Sequence, residues 1–440
     1  MLEKPELLSP AGDMEALRYA VVYGADAVYL GAKAFGMRGG AKNFGEQQLQ
    51  QAAAFAHGFG RRIYLTLNTV PTNEEMDALP ALVRSAAAAG VDAFIVADLG
   101  VLRTVQAVAP GVAVHFSTQA GIVNYAAATA AYELGASRVV LAREMTLEDI
   151  AALRAKTPPE LELEAFVHGA MCVSFSGRCL LSHYLSGRDS NRGQCAQPCR
   201  WQWDIRPTGT QNAPYTLCEG ADGGGEPLSA EWEDSAYILS ADDLCMAPFL
   251  DAVLAAGVDS LKIEGRAKSF YYTASVTAAY RRALDAWLAA PDAFLCPEQT
   301  LTELTRTSHR RYGTGFYFGR DAAAENRRAA SYLREWDVMG TVDAWDEGMA
   351  VCTQRGKIFV GDELELLTPG GEVLPLSVPF LLDENGEPID ATPRSLMTFS
   401  LPVPQEVPPM SILRRRTEGG TPASRPPRNA NETERKGESK

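Results

Sequence analysis

The sequence predicts an α/β fold: a TIM-like (β/α)8 barrel with a cysteine-bearing insertion, followed by a small C-terminal β-barrel domain. Three observations predict it. A helix-to-strand phrase recurs along the N-terminal two thirds, the hydrophobic runs that end those phrases number enough to close a barrel, and short alternating β-patterns separated by turns follow residue 337.

The recurring phrase is an Ala-rich helix stopped by glycine, a small polar turn, and then a hydrophobic strand. Gly24, Ala25 and Asp26 precede AVYLG; Gly90, Val91 and Asp92 precede AFIVAD; Gly135, Ala136 and Ser137 precede RVVLAR; Gly257, Val258 and Asp259 precede SLKIEG. Glycine suits the left-handed position after a helix end, and a near-continuous apolar run suits a parallel strand buried on both faces. The strand candidates are ELLSP (6–10), AVYLG (27–31), IYLTLN (63–68), AFIVAD (93–98), VAVHFST (112–118), RVVLAR (138–143), EAFVHG (164–169) and SLKIEG (260–265). Eight such strands close a (β/α) barrel. Helical patterns over 14–23, 47–59 and 76–89 fill the gaps, although the connection after Asp98 is short. An open doubly wound sheet is the competing arrangement. It fits less well because SPAGD (9–13), after the first strand, is a turn and helix cap rather than a glycine-rich dinucleotide fingerprint.

The barrel unit is expected over 1–336, with its last helical segment ending near Arg334 and its insertion over about 169–259. The β-domain follows over 337–415, with turn signals such as Gly361-Asp362. From Arg414, Arg415 and Arg416 onward the chain is polar and charged with almost nothing apolar, so a disordered tail is expected over 416–440. The formal charge of -14 argues against nonspecific coating of nucleic acid, though not against a local basic groove. No run is long and apolar enough for a membrane span, and the N-terminus carries no secretory pattern, so a cytoplasmic protein is expected.

In a barrel the strand ends form the catalytic face. Here they supply Ser9, Asn68, Asp98, Ser117, Gln119, Arg143, Glu144, His168, Glu264 and Arg266. One or two of these suit helix caps, notably Ser9 and Asp98, but a whole ring is harder to read as packing. Eight thiols in a reducing compartment read as metal ligands, reactive thiols or packing residues rather than disulfides. Six of them, Cys172, Cys179, Cys195, Cys199, Cys218 and Cys245, fall in the insertion; Cys296 and Cys352 lie apart and read as packing thiols. The ligand spacing matches neither a paired zinc ribbon nor a common ferredoxin run, so iron-sulfur, structural zinc and metal-free readings all stay open on spacing alone. Arg178 and Arg200 flank candidate ligands, where cations offset cluster charge, receive an anion or simply face solvent. His168, a strand-end residue beside the cysteines, reads either as a core histidine or as a neighbour of substrate.

The segment EAFVHGAMCVSFSGRCLLS (164–182), with GQC (193–195), CRW (199–201), LKIEGRAKSFYY (261–272) and the opening ELLSPAGDMEALRYAVVYGADAVYLG, resembles the U32 or "collagenase-like" peptidase family over nearly the whole chain. The resemblance implies an iron-sulfur protein supporting hydroxylation of tRNA, of ribosomal RNA or in ubiquinone synthesis. It implies a 4Fe-4S cluster on Cys172, Cys179, Cys195 and Cys245, with Cys199 as the alternative fourth ligand. The added C-terminal domain is similar to that of the branch that makes 5-hydroxyuridine at the tRNA wobble position and depends on prephenate.

On that reading tRNA is the partner and prephenate the small anionic co-substrate. Arg143 and Arg266 are expected to bind its carboxylates, His168 and Glu264 to transfer protons, and Asn68, Asp98, Gln119 and Glu144 to contact substrate. The rival is a peptidase, against which stand the lack of an HExxH helix and of a GxSxG elbow; a Cys172-His168 dyad would place both residues on one short turn. A noncatalytic RNA-binding scaffold fits poorly with the polar ring.

Overall fold

The structure, a computed structural model, describes residues 4–33, 35, 42–201, 203–207, 215–219, 239–319 and 332–417. Eight parallel strands, Glu6–Pro10, Ala27–Gly31, Arg62–Leu67, Ala93–Val96, Ala113–Phe116, Arg138–Val140, Glu162–Ala170 and Ser260–Ile263, pair in chain order. The last pairs with both the first and the seventh, which closes the barrel. All eight expected strands are present. The connection after Asp98, short as it is, still holds the helix Leu99–Val108.

The recurring phrase has a geometric cause. Gly24, Gly90, Gly135 and Gly257 take φ of 106°, 91°, 94° and 89°, a left-handed turn that a side chain would strain. The aspartate two residues later turns back to the strand before its own helix. Asp26, Asp92 and Asp259 accept the backbone N–H of Leu7, Ile63 and Leu163 at 3.0, 2.7 and 2.8 Å. Three of the four repeats thus tie the helix end to the bottom of the preceding strand. At the other end Asp13, Thr72, Asp98, Asn124, Thr146 and Ser269 cap the helices.

The barrel floor is charged, which apolar patterning does not anticipate. Arg138, 1% exposed, reaches Glu6 at 2.5 Å and Glu164 at 3.0 Å; Lys262 meets Glu164 at 2.5 Å, and Tyr64 donates to Glu6 at 2.6 Å. Burial alone would raise the Glu6 carboxyl, but the Arg138 guanidinium holds it below the usual range.

Past the seventh strand the insertion is shorter than expected. Strand Asp243–Cys245 already runs antiparallel along the end of strand seven, and helix Leu250–Ala255 is the ordinary helix between strands seven and eight. The long helix Phe270–Ala289 then packs on Met14–Val22, and the last described helix of this part ends at Thr305, well before Arg334.

The C-terminal part is an antiparallel sheet of eight strands between Trp336 and Arg416, and no ladder joins its two end strands among the described residues. The arginine run expected to open a disordered tail belongs to this sheet. Strand Ile412–Arg416 contains all three arginines, and residues 418–440 lie outside the described residues. Arg414, 0% exposed, pairs with Glu303 at 2.5 Å and Glu365 at 3.0 Å, while Arg415 pairs with Asp362 and Arg416 with Glu335. Because Glu303 lies on helix Glu298–Thr305, this buried pair latches the sheet to the barrel. Tyr19, Tyr23, Tyr271, Leu367 and Ile412 form an apolar seam around it.

Candidate functional site

A cavity opens at the C-terminal end of the barrel strands, lined by Tyr29, Thr66, Asn68, Ser117, Gln119, Arg143, Phe166, Lys262, Glu264 and Arg266, with Ile95, Thr118 and Val140. Five expected residues, Asn68, Gln119, Arg143, Glu264 and Arg266, meet there. A more open depression on the C-terminal sheet, around Val360, Phe380 and Pro388, offers no cation for an anionic ligand.

The cavity is cationic. Arg143 packs its guanidinium 3.8 Å over the Phe166 ring and donates to the Ala170 carbonyl at 2.6 Å, while its Nε is buried without a hydrogen-bond partner. Asn68 donates to Ser117 Oγ at 3.1 Å and leaves its Oδ1 equally unsatisfied. Both residues line the cavity, and buried polar atoms without partners are where a bound molecule gains most from hydrogen bonding. Arg266 donates to Thr66 Oγ1 at 2.8 Å. A side chain on Gly31 would place its Cβ 2.3 Å from that guanidinium, so only glycine admits Arg266 here. Gly169, at φ 109°, similarly lets the end of strand seven approach Glu264, whose Cβ lies 2.8 Å from where a Cβ on Gly169 would sit.

Lys262 is the residue sequence reasoning missed. Its ammonium lies 4.4 Å over the Tyr29 ring, and burial pushes its pKa down against the pull of Glu164. The signal was present: a lysine interrupts the otherwise apolar run SLKI.

Three expected site residues are committed elsewhere. Asp98 caps helix Leu99–Val108, accepting from Gly100 and Val101 at 2.7 and 3.1 Å, so its position reflects helix chemistry rather than substrate contact. Glu144 accepts the Ser176 N–H at 2.9 Å and so fastens the cysteine loop to the barrel. His168 is not among the cavity-lining residues; it is 1% exposed among Tyr272, Tyr280 and Tyr312, with Nδ1 3.4 Å from the Tyr280 hydroxyl. Burial lowers its pKa to about 3, so the ring is neutral.

The cysteine loop crosses the rim of the cavity. Gly177 sits on the Gln119 backbone, Arg192 reaches Glu75 at 2.6 Å beyond the third strand, and Arg200 donates to Ser240 Oγ at 2.8 Å. Arg200, adjacent to a cysteine, is therefore a staple. Burial pushes the Cys199 thiol up to about 11, and the thiols of Cys172, Cys195 and Cys179 push it the same way, so these four sulfurs share one electrostatic neighbourhood. Cys195 Sγ also accepts the Gln197 backbone N–H at 3.3 Å.

Cys245, expected as the fourth ligand, is set apart. It lies on the strand paired with His168, is buried beside Tyr280, and the cysteine that acts on it is Cys296 rather than any of the four. The physical reason is that strand Asp243–Cys245 pairs antiparallel with the end of strand seven and so becomes part of the barrel wall. The thiols that act on Cys199 are thus those of Cys172, Cys179 and Cys195, and Cys245 is not among them. The Cys218 side chain lies outside the described residues. Among the described residues no three His, Cys, Asp or Glu groups are placed to hold a single metal ion. A polynuclear core is less demanding in this respect, because its thiolates bind separate irons around a shared space.

Comparison with known proteins places these features. The model of peptidase family U32 matches residues 12–327, and that of the family's C-terminal domain matches 334–414. The chain is 36% identical to tRNA hydroxylation protein P1 of Bacillus subtilis over 94% of this chain and 95% of that protein. It is 34% identical to tRNA hydroxylation protein P of Escherichia coli over 92% of this chain and 95% of that one. A third relative, the 23S rRNA 5-hydroxycytidine C2501 synthase of Escherichia coli, is 39% identical over 64% of this chain but only 39% of its own length. The charged barrel, the cysteine loop on its rim and the latched C-terminal sheet are thus those of a member of peptidase family U32, to which this chain belongs.

Proposed function

We propose that this protein is a tRNA-hydroxylating enzyme that converts wobble uridine to 5-hydroxyuridine, with prephenate as co-substrate and a 4Fe-4S cluster on Cys172, Cys179, Cys195 and Cys199. The observation that carries the reading is end-to-end similarity, C-terminal sheet included, to proteins named for tRNA hydroxylation. The rRNA synthase matches over a minor part of its own length, which favours tRNA over rRNA. Such an enzyme works in the cytoplasm with its tRNA, and no helix among the described residues is long and apolar enough to cross a membrane.

When bound, the cluster supplies electron transfer near the barrel mouth. The chain's own residues do the rest. Arg143, Arg266 and Lys262 give the cavity the positive charge that a dicarboxylate requires, and the arginine forks fix its orientation. Asn68 Oδ1 accepts a hydroxyl or N–H of the bound molecule. Glu264 is the carboxylate lining the cavity and so the group placed to take up a proton released by a bound molecule. Neutral His168, boxed by tyrosines, positions strand seven rather than transferring that proton.

A peptidase reading needs a thiolate nucleophile paired with a base. The perturbed thiols Cys199 and Cys245 are pushed up to about 11, the wrong direction, and His168 bonds to Tyr280 instead of a cysteine. The test is mass spectrometry of tRNA nucleosides from a deletion strain, with and without the plasmid-borne gene, together with iron and sulfide analysis of anaerobically purified protein. Loss of 5-hydroxyuridine that the plasmid restores supports the proposal; unchanged wobble uridines end it.

A further inference from the structure

We propose that the outer face of the cysteine insertion is a nucleobase platform, on which Tyr184 and Phe175 stack unpaired bases of an RNA loop while Arg178 and Arg188 meet its phosphates. The inference rests on the RNA substrate proposed above and names the surface that receives it.

Tyr184 is 78% exposed on the short helix Leu181–Ser186; its ring has His183 as its aromatic neighbour at 5.8 Å, and its hydroxyl has no hydrogen-bond partner among the described residues. Leu185, next to it in the chain, and Phe175 are also exposed in the same insertion. So much apolar and aromatic surface on one small element is costly in water unless something covers it. Phe175 lies against Gly121, with a ring carbon 3.3 Å from the position of a Cβ there, and Arg178 flanks the same glycine at 3.6 Å. Gly121 follows closely on Gln119 of the cavity lining, so the platform borders the cavity mouth.

Charge identifies the occupant. The chain carries -14 overall, and most of the arginines among the described residues are paired with carboxylates. Arg178 and Arg188 are exposed, and neither side chain has an acidic partner among the described residues. Segment 168–200 has Arg178, Arg188, Arg192 and Arg200 against the single acid Asp189. A locally cationic, aromatic surface on an otherwise acidic protein attracts polyanions. The aromatic component selects single strands, whose bases offer free π-faces, over a duplex.

The test is fluorescence anisotropy with anaerobically purified full-length protein and a labelled anticodon stem-loop RNA. Tyr184→Ala is expected to weaken binding about tenfold, and Tyr184→Phe, which keeps the ring, to stay near wild type. Arg178→Gln combined with Arg188→Gln is expected to reduce the slope of log affinity against log salt by about 1.4, the contribution of two single-strand phosphates. Iron content is measured in each variant and is expected to match wild type, which shows that the loop is intact. If the wild type binds the stem-loop and Tyr184→Ala binds within about twofold of it, the platform is overturned while the tRNA reading stands. A wild type that binds anionic vesicles or a protein but no RNA overturns both. If it binds only a ribosomal RNA hairpin, the tRNA reading falls, and the same variants on that hairpin support or overturn the platform.

Discussion

At the barrel floor Arg138 is enclosed by Glu6 and Glu164, whereas on the insertion Arg178 stands exposed with no acid beside it among the described residues. The two regions hold polar groups in opposite ways. The floor satisfies its charges internally: two acids, Glu6 and Glu164, and two bases, Arg138 and Lys262, exchange hydrogen bonds inside a closed sheet, and each comes from a different strand. The insertion has few buried side chains of its own, Ser176, Ser182 and Pro198 among them, and relies on stitches to the barrel through Glu144, Arg192 and Arg200. A self-sufficient scaffold thus carries a loop held to it by a few polar stitches, the loop on which the cluster is proposed to sit.

That contrast is breakable at its sharpest point by comparing two cysteines. Cys199→Ala is expected to lose essentially all cluster iron, while Cys245→Ala keeps it, as read by iron analysis and visible absorbance of anaerobic protein. The opposite pattern would return the fourth ligand to the barrel wall. On the floor, Arg138→Met leaves two buried carboxylates facing each other, and a cost of about 3–5 kcal/mol is expected in urea unfolding. A loss under about 1 kcal/mol would show that the floor is not the self-contained network described.

A smaller effect sits between the two regions, at His168. Its pKa of about 3 in the folded protein lies below the unfolded value near 6.5, so the unfolded chain binds the extra proton. The stability it contributes is present above about pH 6.5 and drains away as pH falls towards 3. Between pH 7 and 5 about 2 kcal/mol should be lost through this ring. His168→Phe should flatten that part of the stability profile relative to wild type, and an unchanged slope would show that the imidazole is not shielded. The mildest change is Arg143→Gln, which keeps the packing on Phe166 but removes a cationic fork. We expect a tenfold or so rise in the KM for prephenate with little change in iron content. An unchanged KM would mean that the anion sits elsewhere.

The sequence alone determined the barrel, because its signals are local: a glycine that must turn left-handed after each helix, an aspartate that ties the turn down, and apolar runs long enough for one buried strand. It also determined that Cys172, Cys179 and Cys195 belong to one inserted loop and that Asn68, Gln119, Arg143, Glu264 and Arg266 share the strand ends. Only the tertiary structure decided what each polar strand-end residue does. Asp98 and Glu144 look like their cavity-lining neighbours in one dimension, and only their partners, a helix end and the Ser176 amide, remove them from the site. The fourth thiol was open for the same reason: Cys245 is carried to the barrel wall by a strand pairing between residues far apart in the chain. Lys262, Arg138 and Arg414 make the point in reverse, since a charge inside an apolar run looks misplaced until a carboxylate from a distant segment closes over it.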